Sequence, residues 1–405
     1  MVTVELDSFA YGGESIGRLE DGRAVFVPYS LPEEKVLIGL VEEKKGFARG
    51  ELIEVIDSSP KRIKPRCPYF SRCGGCHYQH IPYKDQLEAK SEILNDTLQR
   101  IGKITSPQIK PMVPSPSPWN YRNHVQFHMV QNGKLGFLEP GGGSVIPVQE
   151  CHLPVDPINQ VWPLLDLETI PGIDRIGLRV GDYGEVMINL NSSDPEPVEL
   201  LVDLPVSIVY TGPGGNLVLA GDDHISMTVL ERLFKISAGS FFQVNTLMAA
   251  EMVQHILNTL SLTKDTTLVD AYCGVGLFSA FLAPHVESII GIETVPSACD
   301  DFVINLDEFE NVELYQAPVG NVLPSIDLIP DIIIVDPPRA GLDRWTIDGI
   351  LNLKPGILVY VSCDPATLSR DINRLSKGGY SLNQITPFDL FPQTFHIESI
   401  SILER

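Results

Sequence analysis

The spacing of hydrophobic and polar positions changes character along the chain. Residues 1 to 60 carry short runs of alternation, among them Ala24-Val25-Phe26-Val27 and Lys35-Val36-Leu37-Ile38-Gly39-Leu40-Val41, separated by Gly-rich and acidic turns. Side chains on a strand point alternately to its two faces, so these runs predict a small antiparallel barrel. Leu87, Ile93, Leu94, Leu98 and Ile101 then recur at helical spacing, predicting an amphipathic helix over 83 to 102. Pro-rich turns surround strands from about 120 to 235.

From about 236 the pattern becomes a regular strand and helix alternation. Strands are expected near 267 to 271, 288 to 293, 311 to 315, 331 to 336, 356 to 362, 380 to 386 and 395 to 403. That order predicts a doubly wound α/β sheet. The domain organisation expected is a barrel at 1–60, a central α+β domain at 61–82 and 106–235, and an α/β domain at 236–405. The apolar runs, such as Ile332-Ile333-Ile334-Val335, are too short to cross a bilayer, and the first residues lack the features of a secretory signal. A cytoplasmic location and no membrane partner are expected.

Composition changes this picture in two places. The formal net charge of −22 argues against a broadly basic nucleic-acid footprint, although Lys61-Arg62-Ile63-Lys64-Pro65-Arg66 is a local positive run that could equally be a solvated linker. Of the 7 cysteines, three crowd between positions 67 and 76. In a reducing compartment such clustering points to metal binding or catalysis rather than disulfides.

The first strand of the C-terminal region, Thr267-Leu268-Val269-Asp270, runs into Ala271-Tyr272-Cys273-Gly274-Val275-Gly276. Glycines there let a ligand approach the backbone, and Glu293, at the end of the second strand, can accept ribose hydroxyls. A third fingerprint glycine is missing and Asp270 would repel a pyrophosphate, so a cationic nucleoside such as S-adenosylmethionine is favoured over NAD. A tight turn with a solvated Glu293 is the bland alternative. Two later strands end in Asp336-Pro337-Pro338-Arg339 and Ser362-Cys363-Asp364-Pro365, both at the carboxyl edge where ligands bind. Uracil C5 is a poor nucleophile, and prior attack of a thiolate at C6 activates it. Cys363 is therefore the candidate nucleophile and Glu398 a candidate base for the C5 proton, although a cysteine at a strand end can be inert and Glu398 could face water.

Val361-Ser362-Cys363-Asp364-Pro365-Ala366-Thr367-Leu368-Ser369-Arg370-Asp371, together with Asp389-Leu390-Phe391-Pro392-Gln393-Thr394-Phe395-His396-Ile397-Glu398, closely resembles the RNA uracil-5 methyltransferase family of TrmA and RumA. The resemblance spans nearly the whole chain. It implies a Rossmann-like S-adenosylmethionine-dependent domain that also recruits residues 83–105. Catalytic residues would be Cys363, Glu398 and Asp336, and cofactor contacts Gln243, Tyr272, Gly274, Glu293 and Asp336. Leu277 stands where relatives often carry a polar residue, and no adenine-binding carboxylate is assigned.

Cys67, Cys73, Cys76 and the distant Cys151 could hold an iron–sulfur cluster or zinc, and spacing does not decide which. The segment from Cys67 to Cys76 resembles the RumA-branch loop, implying a [4Fe-4S] cluster with Cys151 as fourth ligand. Ala10-Tyr11-Gly12-Gly13-Glu14-Ser15-Ile16-Gly17-Arg18-Leu19 resembles the opening loop of a TRAM domain, implying RNA binding by the barrel, with a mere spacer as the alternative. Arg122, in Asn120-Tyr121-Arg122-Asn123, is the candidate RNA contact, and Phe241 a candidate stacking platform for a flipped base. The expected partner is RNA, ribosomal RNA before the T-loop of transfer RNA, acted on by a monomer. Rival readings are adenine amino methylation, cytosine-5 methylation and a non-catalytic iron–sulfur RNA-binding protein.

Overall fold

A computed structural model describes residues 1–130, 133–165, 167, 172–198 and 203–405. At the N-terminus β1 (Val2–Ala10), β2 (Glu14–Arg18), β3 (Ala24–Pro28), β4 (Lys35–Glu43) and β5 (Phe47–Asp57) close a barrel in the order β1-β2-β3-β5-β4. Val4, Leu6, Val25, Val27, Val36, Ile38 and Ala48 point inward and fill it. The barrel is not wholly antiparallel as expected, because β3 and β5 pair in parallel. An odd number of strands cannot alternate in direction all the way round a closed ring, so one pair must run parallel. The helix α1 (Tyr83–Arg100) follows the barrel.

The central region is a sheet in the order β12-β11-β10-β9-β6-β7-β8. Its strands are β6 (His124–Met129), β7 (Leu135–Leu138), β8 (Val145–Pro147), β9 (Ile173–Val180), β10 (Val186–Ser192), β11 (Val206–Gly212) and β12 (Gly215–Ala220), with the short helix α2 (Asp156–Val161). Phe127 stacks on Phe137 and Trp162, with centroids 4.8 and 5.0 Å away. The following hairpin, β13 (His224–Val229) and β14 (Arg232–Ser237), sends Ile225, Met227, Val229, Phe234 and Ile236 into the core of the C-terminal region. β14 therefore runs through residue 236, where the sequence suggests a boundary.

The C-terminal region contains α3 (Thr246–Thr259), β15 (Thr267–Ala271), α4 (Leu277–Leu282), β16 (Ser288–Glu293), α5 (Pro296–Asn305), β17 (Val312–Gln316), α6 (Val319–Val322), β18 (Ile332–Val335), α7 (Arg344–Leu353), β19 (Ile357–Ser362), α8 (Pro365–Lys377), β20 (Ser381–Phe388) and β21 (Glu398–Glu404). The sheet order is β17-β16-β15-β18-β19-β21-β20, with β21 antiparallel to both neighbours. Strands covered on both faces read as continuous apolar runs, and Ile332, Ile333, Ile334 and Val335 are all buried. Strand order reverses between β15 and β18, which opens a crevice at their carboxyl ends.

α1 packs on α8, and its Leu94 and Leu98 join one core face of this sheet. Its Lys90 is fully buried against Asp389, with Nζ and Oδ1 2.6 Å apart. Ile109 and Val113 bridge to Ile385 and Phe388, so residues 109–113 lie along the outer edge of β20. Among the described residues, no helix is long and apolar enough to cross a membrane.

Candidate active site

Strand register brings the proposed nucleophile and base together. β19 and β21 pair antiparallel, and their ladder ends with Ser362 opposite Ser399, so Cys363 and Glu398 are the residues next to its last pair. β18 pairs with β19 through Val335 and Tyr360, which sets Asp336 beside the same strand end. Electrostatics report the same proximity. Burial, then the charges of Glu398 and Asp336, push the Cys363 thiol up to about 12, opposed by the nearby Arg339 guanidinium. Burial and Asp336 hold the Glu398 carboxyl well above the carboxylate range. Asp336 is pushed up to about 7 by burial and by Asp270.

Asp270, at the end of β15, is buried and raised to about 6; one oxygen accepts from Ser279 at 2.6 Å while Oδ1 has no partner. Two residues on, Tyr272 takes a left-handed φ of 67°, and its hydroxyl lies 3.2 Å from Thr346 Oγ1. Gly274 (φ 56°) has open space where a side chain would start, whereas at Gly276 a Cβ would strike Leu306 at 2.3 Å. The two glycines thus differ: one leaves room for a ligand and the other permits close helix packing. The Gly274 amide donates to Glu293 Oε2 at 3.0 Å, and Glu293 Oε1 accepts from the amides of Thr294 (2.6 Å) and Val295 (2.8 Å). Leu277 is buried in the core and offers no polar contact.

Gln243 lies in the loop before α3, almost buried, its carbonyl accepting from Asn123 Nδ2 at 3.0 Å. This loop is tied to α5, since Ser240 Oγ donates to Asp301 Oδ2 at 2.6 Å. Its Gly239 approaches Ser297, four residues past Glu293. The loop therefore flanks the mouth of the crevice, with Phe241 exposed beside it.

Cys67, Cys73, Cys76 and Cys151 all line one cavity of about 370 Å³. Burial pushes Cys76 up to about 12 and Cys151 to about 11. Among the described residues, no group of three or more His, Cys, Asp or Glu side chains is set closely enough to hold a metal ion. Arg122, Arg339, Phe391 and His396 line the same cavity, so part of its wall comes from the loops that follow β18 and precede β21. Arg122 has a buried Nε without a hydrogen-bond partner, and its guanidinium lies over the Tyr121 and Phe391 rings.

Residues 203–318 and 323–405 match the tRNA (Uracil-5-)-methyltransferase family, and residues 1–53 the TRAM domain. An RNA methyltransferase of Halalkalibacterium halodurans is 34% identical, with 100% of this chain and 97% of the relative covered. One from Aquifex aeolicus is 35% identical over 98% of this chain and 97% of its own. The chain belongs to the RNA uracil-5 methyltransferase family. The fold agrees with the crystal structure of the Pyrococcus abyssi tRNA (uracil-54, C5)-methyltransferase in complex with S-adenosyl-L-homocysteine, at a TM-score of 0.73 and 24% identity, covering 99% of this chain and 100% of that one.

In this methyltransferase Cys67, Cys73, Cys76 and Cys151 lie outside both matched regions, whereas Cys363, Glu398, Asp336 and the β15–β16 edge lie inside. Sequence reasoning gave Arg339 no role, yet its charge acts on both Cys363 and Glu398. It also missed His396, which lies 3.2 Å from Arg339 and is kept neutral by burial and that cation, its pKa down at about 2. The signal for both was their place in the quoted motifs, since spacing alone cannot show that two loops 57 residues apart meet.

Proposed function

We propose that this enzyme methylates carbon 5 of a uridine in RNA, with Cys363 as a transient covalent catalyst and S-adenosylmethionine as the methyl donor. The observation that supports the reading is that Cys363 and Glu398 adjoin the last β19–β21 pair, near enough for the buried carboxylate to act on the thiol. The Cys363 sulfur adds to C6, and the C5=C6 electron pair shifts into the enolate. Asp336, raised to about 7 by burial and Asp270, can hold a proton and offer a hydrogen bond to the uracil oxygen on which charge gathers. S-adenosylmethionine, when bound, supplies an electrophilic methyl group to C5. Glu398 then takes the C5 proton, the C5=C6 pair is restored and the sulfur leaves as thiolate.

The crevice suits that cofactor. Gly274 leaves open space, Asp270 offers an unpartnered buried oxygen, and the acids around it favour a cationic sulfonium over a pyrophosphate. Glu293 would receive the ribose hydroxyls, and Tyr272 and Gln243 would flank the bound nucleoside. Cys67, Cys73, Cys76 and Cys151 would hold a [4Fe-4S] cluster, a reading supported by all four lining one cavity. Residues 83–105 would count with the methyltransferase domain, since α1 packs on α8. Ribosomal RNA is the proposed substrate.

Turnover of a uridine-containing RNA tests the mechanism. Cys363→Ala should abolish methyl transfer, and Glu398→Gln should accumulate protein bound to methylated RNA through denaturing electrophoresis. A fully active Cys363→Ala protein would remove the mechanism.

A further inference from the structure

The barrel reaches the catalytic strand through one side chain. Tyr11 stands in the turn between β1 and β2, beside Gly12 and Gly13 at φ 112° and 86°. The turn is pressed onto the catalytic side, because a Cβ at Gly13 would lie 3.1 Å from His77 Cβ and 3.3 Å from Phe395 Cδ1. The Tyr11 ring meets Phe395 edge-on at 5.6 Å, and its hydroxyl donates to Asp364 Oδ2 at 2.7 Å. The other oxygen, Oδ1, accepts from the amides of Ala366 (3.0 Å) and Thr367 (2.9 Å) and caps α8. Ser362 Oγ accepts from the Asp364 amide at 3.2 Å and donates to the Asp364 carbonyl at 3.1 Å. Cys363 is therefore the residue between two anchored ones. Burial and the adjoining carboxylate hold the Tyr11 hydroxyl well above the tyrosine range, so it remains a donor at any working pH.

We propose that Tyr11 is a positioning residue for Cys363: it fixes the peptide that carries the thiol and takes up Asp364 charge that would otherwise face it, making the barrel part of the catalytic centre. The inference rests on Cys363 being the nucleophile. Asp364 is among the charges that disfavour the thiolate, and a hydrogen bond to its outer oxygen weakens that repulsion. A barrel that served only to grip RNA would need no contact with this loop.

The test uses the full chain with Tyr11→Phe. Alkylation of Cys363 by iodoacetamide, followed against pH by peptide mass spectrometry without RNA, reads the thiol directly. Its midpoint should move up, and kcat for methylation should fall about tenfold, the scale of one hydrogen bond to a charged group, with KM for RNA within about twofold. In an Asp364→Asn background the same substitution should add little further. An unchanged midpoint and kcat, an equal loss in the Asp364→Asn background, or a loss confined to RNA affinity would each overturn the proposal. A shifted midpoint alongside a fully active Cys363→Ala protein would instead keep the clamp and discard the nucleophile.

Discussion

At the scale of single residues, the site is a set of acids forced together. Asp270, Asp336 and Glu398 are all held above the ordinary carboxylate range by burial, with Glu293 adding to Asp270, Asp270 to Asp336 and Asp336 to Glu398. The Cys363 thiol is raised too, so the reactive thiolate is scarce at neutral pH, and its fraction grows as pH rises. Single-turnover methylation should therefore accelerate from pH 7 to 9. Arg339→Ala removes the cation that opposes the shift, so it should push the profile to still higher pH and slow the reaction at pH 7.5 by about tenfold. A profile that is flat in both proteins contradicts this account.

The same crowding has a stability cost with a definite sign. Asp336 binds its proton more tightly folded than unfolded, so its contribution is present below the unfolded pKa and is lost as pH rises through about 7. Asp336→Asn should therefore stabilise the protein at pH 8 by about 1–2 kcal/mol, a value discounted for its partial exposure, and the gain should shrink to about a third at pH 5. Thermal melts at the two pH values, with activity lost in the variant, check it.

At the scale of elements, α1 shows how one helix fastens distant segments. Its buried Lys90 pairs with Asp389 and also donates to the Phe391 carbonyl at 3.1 Å, holding the loop that leads to Glu398. Lys90→Met would strand a buried carboxylate, a loss of about 3–5 kcal/mol, and adding Asp389→Leu should recover part of it. Denaturant melts would show this, and additive losses in the double variant would contradict it. The strands of the C-terminal sheet and α1 itself were legible because periodicity is local and the buried strands are uniformly apolar. The parallel β3–β5 pair was not, since it follows from closing a ring of strands rather than from any one strand's residues. Nor was the Tyr11–Asp364 contact, whose partners stand 353 residues apart. Cys363, Glu398 and Asp336 could be singled out from their strand ends and motifs, but only the folded chain brings these strand ends close together.

At the scale of the whole molecule, the net charge of −22 limits how RNA can be held. The basic run after the barrel is largely engaged internally: Lys61 reaches Asp85 at 2.8 Å, Arg62 reaches Glu34 at 2.7 Å, and Arg66 lies over Trp119. Few phosphates can then be neutralised, and log Kd for RNA against log salt should have a slope no steeper than about 3 in magnitude. Titration between 50 and 200 mM salt measures it, using roughly the range over which basic binders lose most affinity; a slope near 10 would mean that an extensive cationic surface is at work. Recognition would rest instead on stacking and on the shape formed by barrel, central sheet and crevice. The central claim concerns a single bond, and the most direct measurement is mass spectrometry of the peptide crosslinked when the enzyme turns over RNA bearing 5-fluorouridine, whose fluorine cannot leave as a cation. The account predicts that peptide to be the one containing Cys363, with a methyl group on the attached base. Methylation without any adduct, or an adduct on another cysteine, would contradict it.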